Sequence, residues 1–273
     1  MNLADAINYT FEHREAWMNG SGATTTRINC NHALRILGDI DVFSITTADF
    51  TRLSSDLKAE GKSKSTINRI TSALRTVMSE LQLNGFNIDV PAFKRQKEKQ
   101  GRREYFTEDE MNLILNEAAK EPDFMLLHDS LLFAYKTGCR QGEMLKLKFD
   151  QVSFETGQLI FLDTKNGDDH EIPIHQSLVE VLQRRSHYSV DDYVFPWTND
   201  DQLRTEFYKV RDKLGISPDK VWHTVRHTVG TELVSKGAPM RIIMSLLNHK
   251  NMNTTLRYAK VKDTAKQEAL DLL

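Results

Sequence analysis

The chain has 273 residues, 36 Lys+Arg against 38 Asp+Glu, a formal net charge of -2 and only two cysteines. That length holds one large core or two ordinary ones, with two domains the better expectation, and no apolar run approaches the roughly 20 residues that span a bilayer. Met1 to Asp5 carries no signal-peptide pattern, and Cys30 and Cys139 lie far apart outside any paired motif, which argues against secretion, a disulfide scaffold and a zinc knuckle; the expected location is the cytoplasm.

The first block reads as a small helical bundle. Leu3, Ala6, Ile7 and Phe11 fall at helical spacing before Gly20-Ser21-Gly22. Thr24 or Thr25 is a candidate cap for a second helix with Ile28, Leu34 and Leu37 on its apolar side, closed by Gly38. Thr46-Thr47 opens a third helix carrying Phe50, Leu53 and Leu57 to Gly61. A longer fourth one starts at Ser65 and puts Ile67, Ile70, Leu74, Val77, Met78 and Leu81 on one face, ending near Gly85. Lys62, Lys64, Asn68 and Arg69 surround the start of that helix, where free backbone donors and cations suit phosphate oxygens.

Charge is unevenly spread. Residues 1–93 hold 9 Lys+Arg against 10 Asp+Glu, whereas residues 94–103 hold 6 against 1, from Lys94, Arg95, Lys97, Lys99, Arg102 and Arg103. Such a run is ordinarily a solvated linker; a strap that tracks phosphates is the alternative that downstream residues must support.

Beyond the strip, Thr107-Glu108-Asp109-Glu110 is a capping box for a helix through Leu113, Ile114 and Ala118. Pro122 begins another, burying Phe124, Leu127, Leu131 and Phe133 up to Thr137-Gly138. Arg140 then stands at a helix start with Glu143 three residues later on the same face. The period changes next: Val152 to Phe154, a turn at Glu155-Thr156-Gly157, Gln158 to Leu162, a turn from Thr164 to Asp169, and His170 to Ile174 read as three antiparallel strands with Lys165 on a hairpin tip. Helices follow from Gln176 to Arg185 and from Gln202 to Leu214. The fold class expected is mainly α with one small antiparallel sheet in the second domain.

The densest chemistry lies from Trp222 to Tyr258. His223 and Arg226 are three apart and share a helix face, where a rigid guanidinium fork can hold two phosphate oxygens. Leu247-Asn248-His249 and Thr254-Thr255-Leu256-Arg257-Tyr258 follow. If Tyr258 attacks a phosphodiester, its phenol, with an ordinary pKa of about 10, needs a proton acceptor or nearby cations. His223 and His249 are candidate acceptors. Arg140 and Arg226 would stabilise the crowded, more negative transition state, and Lys165 would protonate the leaving alkoxide. A single histidine or tyrosine in a helical domain is usually structural; the ordered set is what argues for catalysis.

Taken together, Thr137-Gly138-Cys139-Arg140-Gln141-Gly142-Glu143, the hairpin Lys165, His223-Thr224-Val225-Arg226-His227, Leu247-Asn248-His249 and Thr254-Thr255-Leu256-Arg257-Tyr258 resemble the tyrosine recombinase (phage integrase) family. The resemblance implies a helical core-binding (SAM-like) DNA-binding domain over residues 1–93, a basic interdomain linker over 94–103 and a catalytic domain of mixed α/β type over 104–273, forming a C-shaped clamp with the strip crossing the DNA. It implies catalytic Arg140, Lys165, His223, Arg226, His249 and the nucleophile Tyr258, supported by Glu143, a transient 3'-phosphotyrosyl bond, and no metal or other cofactor. The implied partners are double-stranded DNA at attachment or core sites and a homotetramer on it, weakly associated or monomeric without DNA. An accessory DNA-bending or directionality factor is a further candidate, and no membrane partner is expected. Three departures stand out: Asn248 where the family often has glycine, Lys260 where it often has histidine, and only fifteen residues after Tyr258, a tail with Ala265, Leu270 and Leu272 that is a candidate oligomer contact. No arm-binding domain is expected before Leu3.

The function expected is a site-specific recombinase that integrates or excises a phage or mobile element, acting in the bacterial or host cytoplasm. A Xer-like chromosome-dimer resolvase, a type IB topoisomerase-like enzyme and a non-catalytic DNA-binding protein are the alternatives. A metal nuclease is disfavoured: His223 and His227 are four apart, but Thr224 stands where a zinc protease has its glutamate.

Overall fold

The computed structural model describes all residues except 19, 21, 99–103, 121–123, 165, 166, 189–191, 257 and 259–273. The chain divides into two units, Met1–Gly101 and Arg102–Leu273.

The first unit is helical among its described residues. α1 (Leu3–His13) is capped by Asn2, whose side chain accepts from the Asp5 backbone, and the short α2 (Glu15–Met18) follows. α3 (Ala23–Leu37) starts at Gly22 without a side-chain cap, so Thr24 and Thr25 lie inside the helix instead of capping it. Its buried side is Cys30, Ala33 and Leu37, while Ile28 is 51% exposed, because the helix turns a different strip from the expected one toward the core. Gly38 closes it at φ +82, a backbone region that costs other residues strain. α4 (Thr47–Ala59) has the capping box of Thr46 and Asp49 and buries Phe50, Leu53 and Leu57. α5 (Lys64–Leu83), capped by Ser63, buries Ile67, Ile70, Leu74, Val77, Met78 and Leu81, the face that the periodicity predicts. These side chains share one core with Leu3, Ile7, Val42 and Ile88.

The second unit builds a larger core. Thr107 and Glu110 exchange backbone-to-side-chain hydrogen bonds at the start of α6 (Glu108–Lys120), as a capping box requires. Ile114 and Ala118 are buried there, while Leu113 is 53% exposed. α7 (Met125–Thr137) begins after Phe124, and Pro122 lies outside the described residues. α8 (Gln141–Lys146) leads into β1 (Val152–Ser153), β2 (Gln158–Phe161) and β3 (His170–Pro173), which form one antiparallel sheet in the order β1-β2-β3. Leu159 pairs with Ile172 and both are buried, so alternation puts one sheet face on the core. α9 (Gln176–Tyr188), α10 (Asp200–Lys213), α11 (Trp222–Ser235), α12 (Met240–Leu246) and α13 (Met252–Leu256) complete the unit. Its main core centres on Phe106, Phe133, Phe161, Phe195, Phe207 and Trp222. A smaller cluster of Val229, Ile243, Leu247 and Tyr258 sits under the last three helices. The mainly helical architecture with one small antiparallel sheet is therefore the one observed.

Two ion pairs with buried members hold the second unit's outer helices. Asp129 on α7, fully buried, accepts from Arg184 of α9 at 2.5 Å and lies 3.2 Å from His128. Burial alone would raise its carboxyl, but hydrogen bonds from His128 and Arg184 outweigh that and hold it below the usual carboxylate range. Lys220 closes on Glu110 at 2.5 Å, tying the approach to α11 to α6. No helix among the described residues is long and apolar enough to cross a membrane.

Candidate active site

Gly138 ends α7 in the left-handed conformation, φ +65, and a Cβ there would stand 2.6 Å from Leu247 Cδ2. Glycine is thus required twice, for the turn and for the close approach of Leu247. The sharp turn releases the Gly138 carbonyl inward and sets Arg140 at the head of α8. Glu143 on the next turn accepts from the Arg140 backbone at 2.7 Å and from its Nη1 at 2.6 Å. Glu143 therefore fixes both ends of the residue. Arg140 Nη2 donates to the Asn248 carbonyl at 2.9 Å.

Arg226 comes from α11, whose Trp222, Val225 and Val229 pack inward and carry the arginine with them. It is 5% exposed, and its Nη1 donates to the Gly138 carbonyl at 2.6 Å while Nη2 donates to the Leu247 carbonyl. Burial, then Arg140 close by, press the guanidinium below its ordinary value, and Glu143 and Tyr258 act in the opposite sense. A guanidinium starts so high that it stays charged. Two cations, Arg226 buried and Arg140 half-buried, each braced on backbone carbonyls, form a preorganised positive centre that the Glu143 carboxylate steadies.

Asn248 has φ +44, which explains why glycine serves at such a position and why asparagine is tolerated. His249 follows, 8% exposed, with Nδ1 2.9 Å from the Thr255 hydroxyl of α13, itself fully buried. Tyr258, 7% exposed, lies one turn beyond Thr255 and its ring runs nearly parallel to that of His249, centroids 6.2 Å apart at 17°. The Tyr258 hydroxyl meets Nδ1 of His227 at 3.1 Å, and the His227 ring is 4.6 Å from that of the exposed His223. Gly230 makes room for the tyrosine: a Cβ there would fall 2.7 Å from Tyr258 Cε2 and Cζ.

The sheet edge is fastened to the same loop. Asn248 Nδ2 donates to the Thr164 hydroxyl at 3.1 Å, Lys250 pairs with Asp168 at 2.9 Å, and His170 Nε2 lies 2.9 Å from the Ser245 carbonyl. Burial pushes His170 down, and the hydrogen bond to Ser245 counters it. Cys139, behind Arg140, is buried and its thiol is pushed up to about 12, so it is inert as a nucleophile. Among the described residues, no group of three or more His, Cys, Asp and Glu is placed to hold a metal ion.

The sequence model of the phage integrase family matches residues 104–265, the greater part of the chain. The chain belongs to the phage integrase family. Its enzymatic class is that of a tyrosine site-specific recombinase. The tyrosine recombinase XerA of Pyrococcus horikoshii is 28% identical over 245 residues, covering 84% of this chain and 81% of that protein. The tyrosine recombinase XerC of Alcanivorax borkumensis is 25% identical, covering 83% and 78%. Among solved structures, the Tn1549 transposon integrase in complex with circular intermediate DNA aligns with TM-score 0.78 and 17% identity over 99% of each chain. A lambda integrase dimer bound to a COC' core site aligns with TM-score 0.77 and 21% identity over 94% of this chain and 77% of that one. These likenesses establish the fold.

In this integrase-family chain, Arg140, Glu143, Arg226, His249 and Tyr258 lie together, and His223 stands at their exposed margin. Lys165 lies outside the described residues, as do Lys99, Arg102, Arg103 and the tail after Tyr258. Lys64, Arg69, Lys94, Arg95 and Lys97 lie at the surface and Lys62 is half-buried. Asn68 departs from its expected role at phosphates. It is 2% exposed, its amide donates to the Gln96 carbonyl at 2.9 Å and to Glu98 at 2.7 Å, and its Oδ1 accepts from the Gln96 backbone at 2.8 Å. The periodicity of α5 already places Asn68 beside Ile67 on the inward face, a signal that the polar side chain outweighs in a sequence reading. Sequence reasoning also passes over His227, whose i,i+4 spacing from His223 draws a metal comparison when the partner is the tyrosine.

Proposed function

We propose that this chain cleaves and rejoins double-stranded DNA through a 3'-phosphotyrosyl bond at Tyr258, without a metal ion, and so integrates or excises a phage or other mobile element. The observation that carries this reading is the gathering of Arg140, Arg226, His249 and Tyr258 from four separate segments around two braced guanidinium groups. The phenol oxygen bonds to phosphorus as the bond to the 5'-oxygen breaks, its proton passes to a neighbouring imidazole, for which the sequence offers His223 and His249, and Arg140 and Arg226 counter the growing charge on the nonbridging oxygens. Lys165 protonates the departing 5'-oxygen. Supporting this reading, the related lambda integrase is known as a dimer on a core site and as a tetramer on a Holliday junction. By analogy, this chain assembles as a homotetramer on paired DNA sites, residues 1–93 serve as a core-binding domain and 104–273 as the catalytic domain, and an accessory DNA-bending or directionality factor sets the outcome. The basic residues Lys62, Lys64, Arg69, Lys94, Arg95 and Lys97 supply phosphate contacts.

A Xer-like resolvase of chromosome dimers is the second reading, favoured by relatives named XerA and XerC. The test uses a pool of nicked duplexes drawn from the flanks of the encoding element, incubated in the presence of a chelator with wild type and Tyr258→Phe. A covalent adduct from wild type alone supports the chemistry, and a two-site assay then separates recombination from simple relaxation. No adduct on DNA that the protein binds would remove the catalytic reading. Activity on chromosomal sites rather than element ends would favour the resolvase.

A further inference from the structure

Two imidazoles, His249 and His227, lie beside the proposed nucleophile, and a third, His223, lies against His227. The His249 ring runs alongside the tyrosine and its Nδ1 is engaged with the buried Thr255 hydroxyl. His223 is exposed at the margin. His227, one residue after Arg226 on α11, directs Nδ1 to the Tyr258 oxygen at 3.1 Å with the rings inclined at 53°. That geometry is a hydrogen bond between a phenol and a ring nitrogen, the arrangement that a proton transfer needs.

We propose that His227 Nδ1 accepts the phenol proton as Tyr258 attacks, and returns it when the 5'-hydroxyl attacks the phosphotyrosine. The inference rests on the reading of Tyr258 as nucleophile. In cleavage, the Tyr258 oxygen to phosphorus bond forms, the phosphorus to 5'-oxygen bond breaks, the phenol proton moves to His227, and the 5'-oxygen takes its proton from the separate general acid. In rejoining, the phosphorus to tyrosine bond breaks and the phenolate recovers its proton from His227. His223 on the same helix and His249 from the loop before α13 are the neighbouring rings, the Glu143 carboxylate is taken up by Arg140, and the cations of the centre are Arg226 on the same helix and Arg140 at the head of α8. They favour phenolate and disfavour imidazolium, so His227 holds the proton only transiently and is a ready donor in the return step. His227 thereby takes the acceptor role for which the sequence offers His223 and His249.

The test uses the full chain and a nicked duplex from the pool on which wild type forms an adduct, made with either oxygen or sulfur as the bridging 5' atom. A thiolate leaves without protonation, so the sulfur duplex removes the need for a general acid. His227→Gln, which keeps a hydrogen-bonding side chain but cannot take a proton, should form adduct about 10²-fold more slowly on both duplexes. The acid limb of the wild-type pH profile should disappear with it. Replacing Tyr258 by 3,5-difluorotyrosine, whose phenol ionises near neutrality, should restore most of the rate in the His227→Gln background. A defect confined to the oxygen duplex would make His227 a leaving-group acid and overturn the proposal. So would a folded His227→Gln enzyme of wild-type rate, or one that the fluorinated tyrosine leaves unrescued. If His227→Gln does not fold, His227→Asn takes its place in the same comparison. Failure of wild type to form any adduct would instead refute the reading of Tyr258.

Discussion

Gly230→Ala should leave the protein folded and cripple its chemistry. The methyl group would start 2.7 Å from Tyr258 Cε2 and Cζ and 2.9 Å from Cδ2. Carbon atoms rest about 3.5 Å or more apart, so the ring must withdraw by roughly 0.8 Å. The atoms struck belong to the far end of a side chain, which can swing, and alanine inside a helix is favoured over glycine by about 1 kcal/mol. Stability should therefore change by no more than about 1 kcal/mol in either direction. The ring carries the proposed attacking oxygen, held 3.1 Å from His227. A misplacement near 1 Å costs on the order of 10²-fold in rate when the attack geometry is strict. The assay pairs a thermal melt with the rate of covalent adduct formation on a nicked duplex. A normal melt with a rate within about threefold of wild type would refute the reasoning, since the tyrosine would then react from a position that does not touch Gly230.

Gly138→Ala should behave differently, losing about 1–3 kcal/mol in urea unfolding as well as activity, because a left-handed residue and the Leu247 contact are both violated. Asn68→Ala should destabilise the first unit by about 1–3 kcal/mol and expose the chain near Gln96 to limited proteolysis, while the positive charge of the strip stays as it is. Neutralising Lys94, Arg95 and Lys97 should flatten the salt dependence of DNA binding, the slope of log affinity against log salt falling by about one for each phosphate left without its cation; an unchanged slope in a titration would count against the strip. For Asp129, the folded carboxyl lies below its unfolded value of about 3.9, so its contribution is fully present above that pH and is lost as pH falls through the folded value. Unfolding midpoints measured below about pH 4 should drop less in Asp129→Asn than in wild type.

Periodicity is a good guide where a helix is buried on one broad face, as for α4 and α5, and where turn chemistry is strict, as at Gly38, Gly138 and the strands flanking Gly157. It misplaces Ile28, a single apolar residue at the rim of a helical stripe, where a modest rotation of the helix decides exposure and only the neighbouring helix sets that rotation. The proposed catalytic set is legible because its residue types are chemically demanding and lie in a distinctive order. What the order cannot reveal is how the arginines are held. Their partners are the backbone carbonyls of Gly138, Leu247 and Asn248, and a carbonyl carries no sequence signature. His227 is hidden for a related reason: a histidine has two nitrogens and many uses, and only the approach of Tyr258 from 31 positions away selects one.

The sheet edge and the loop from Ser245 to Lys250 hold one another through Thr164, Asp168 and His170. A hairpin bound in this way is not a portable module. Transplanting the segment between β2 and β3 from a related protein would import a tip shaped for a different anchor, and the loop bearing His249 would lose its own support in exchange. Chimeras that move both segments as a set should retain function where single-segment exchanges fail, and any drift in one through evolution is expected to be answered by a change in the other.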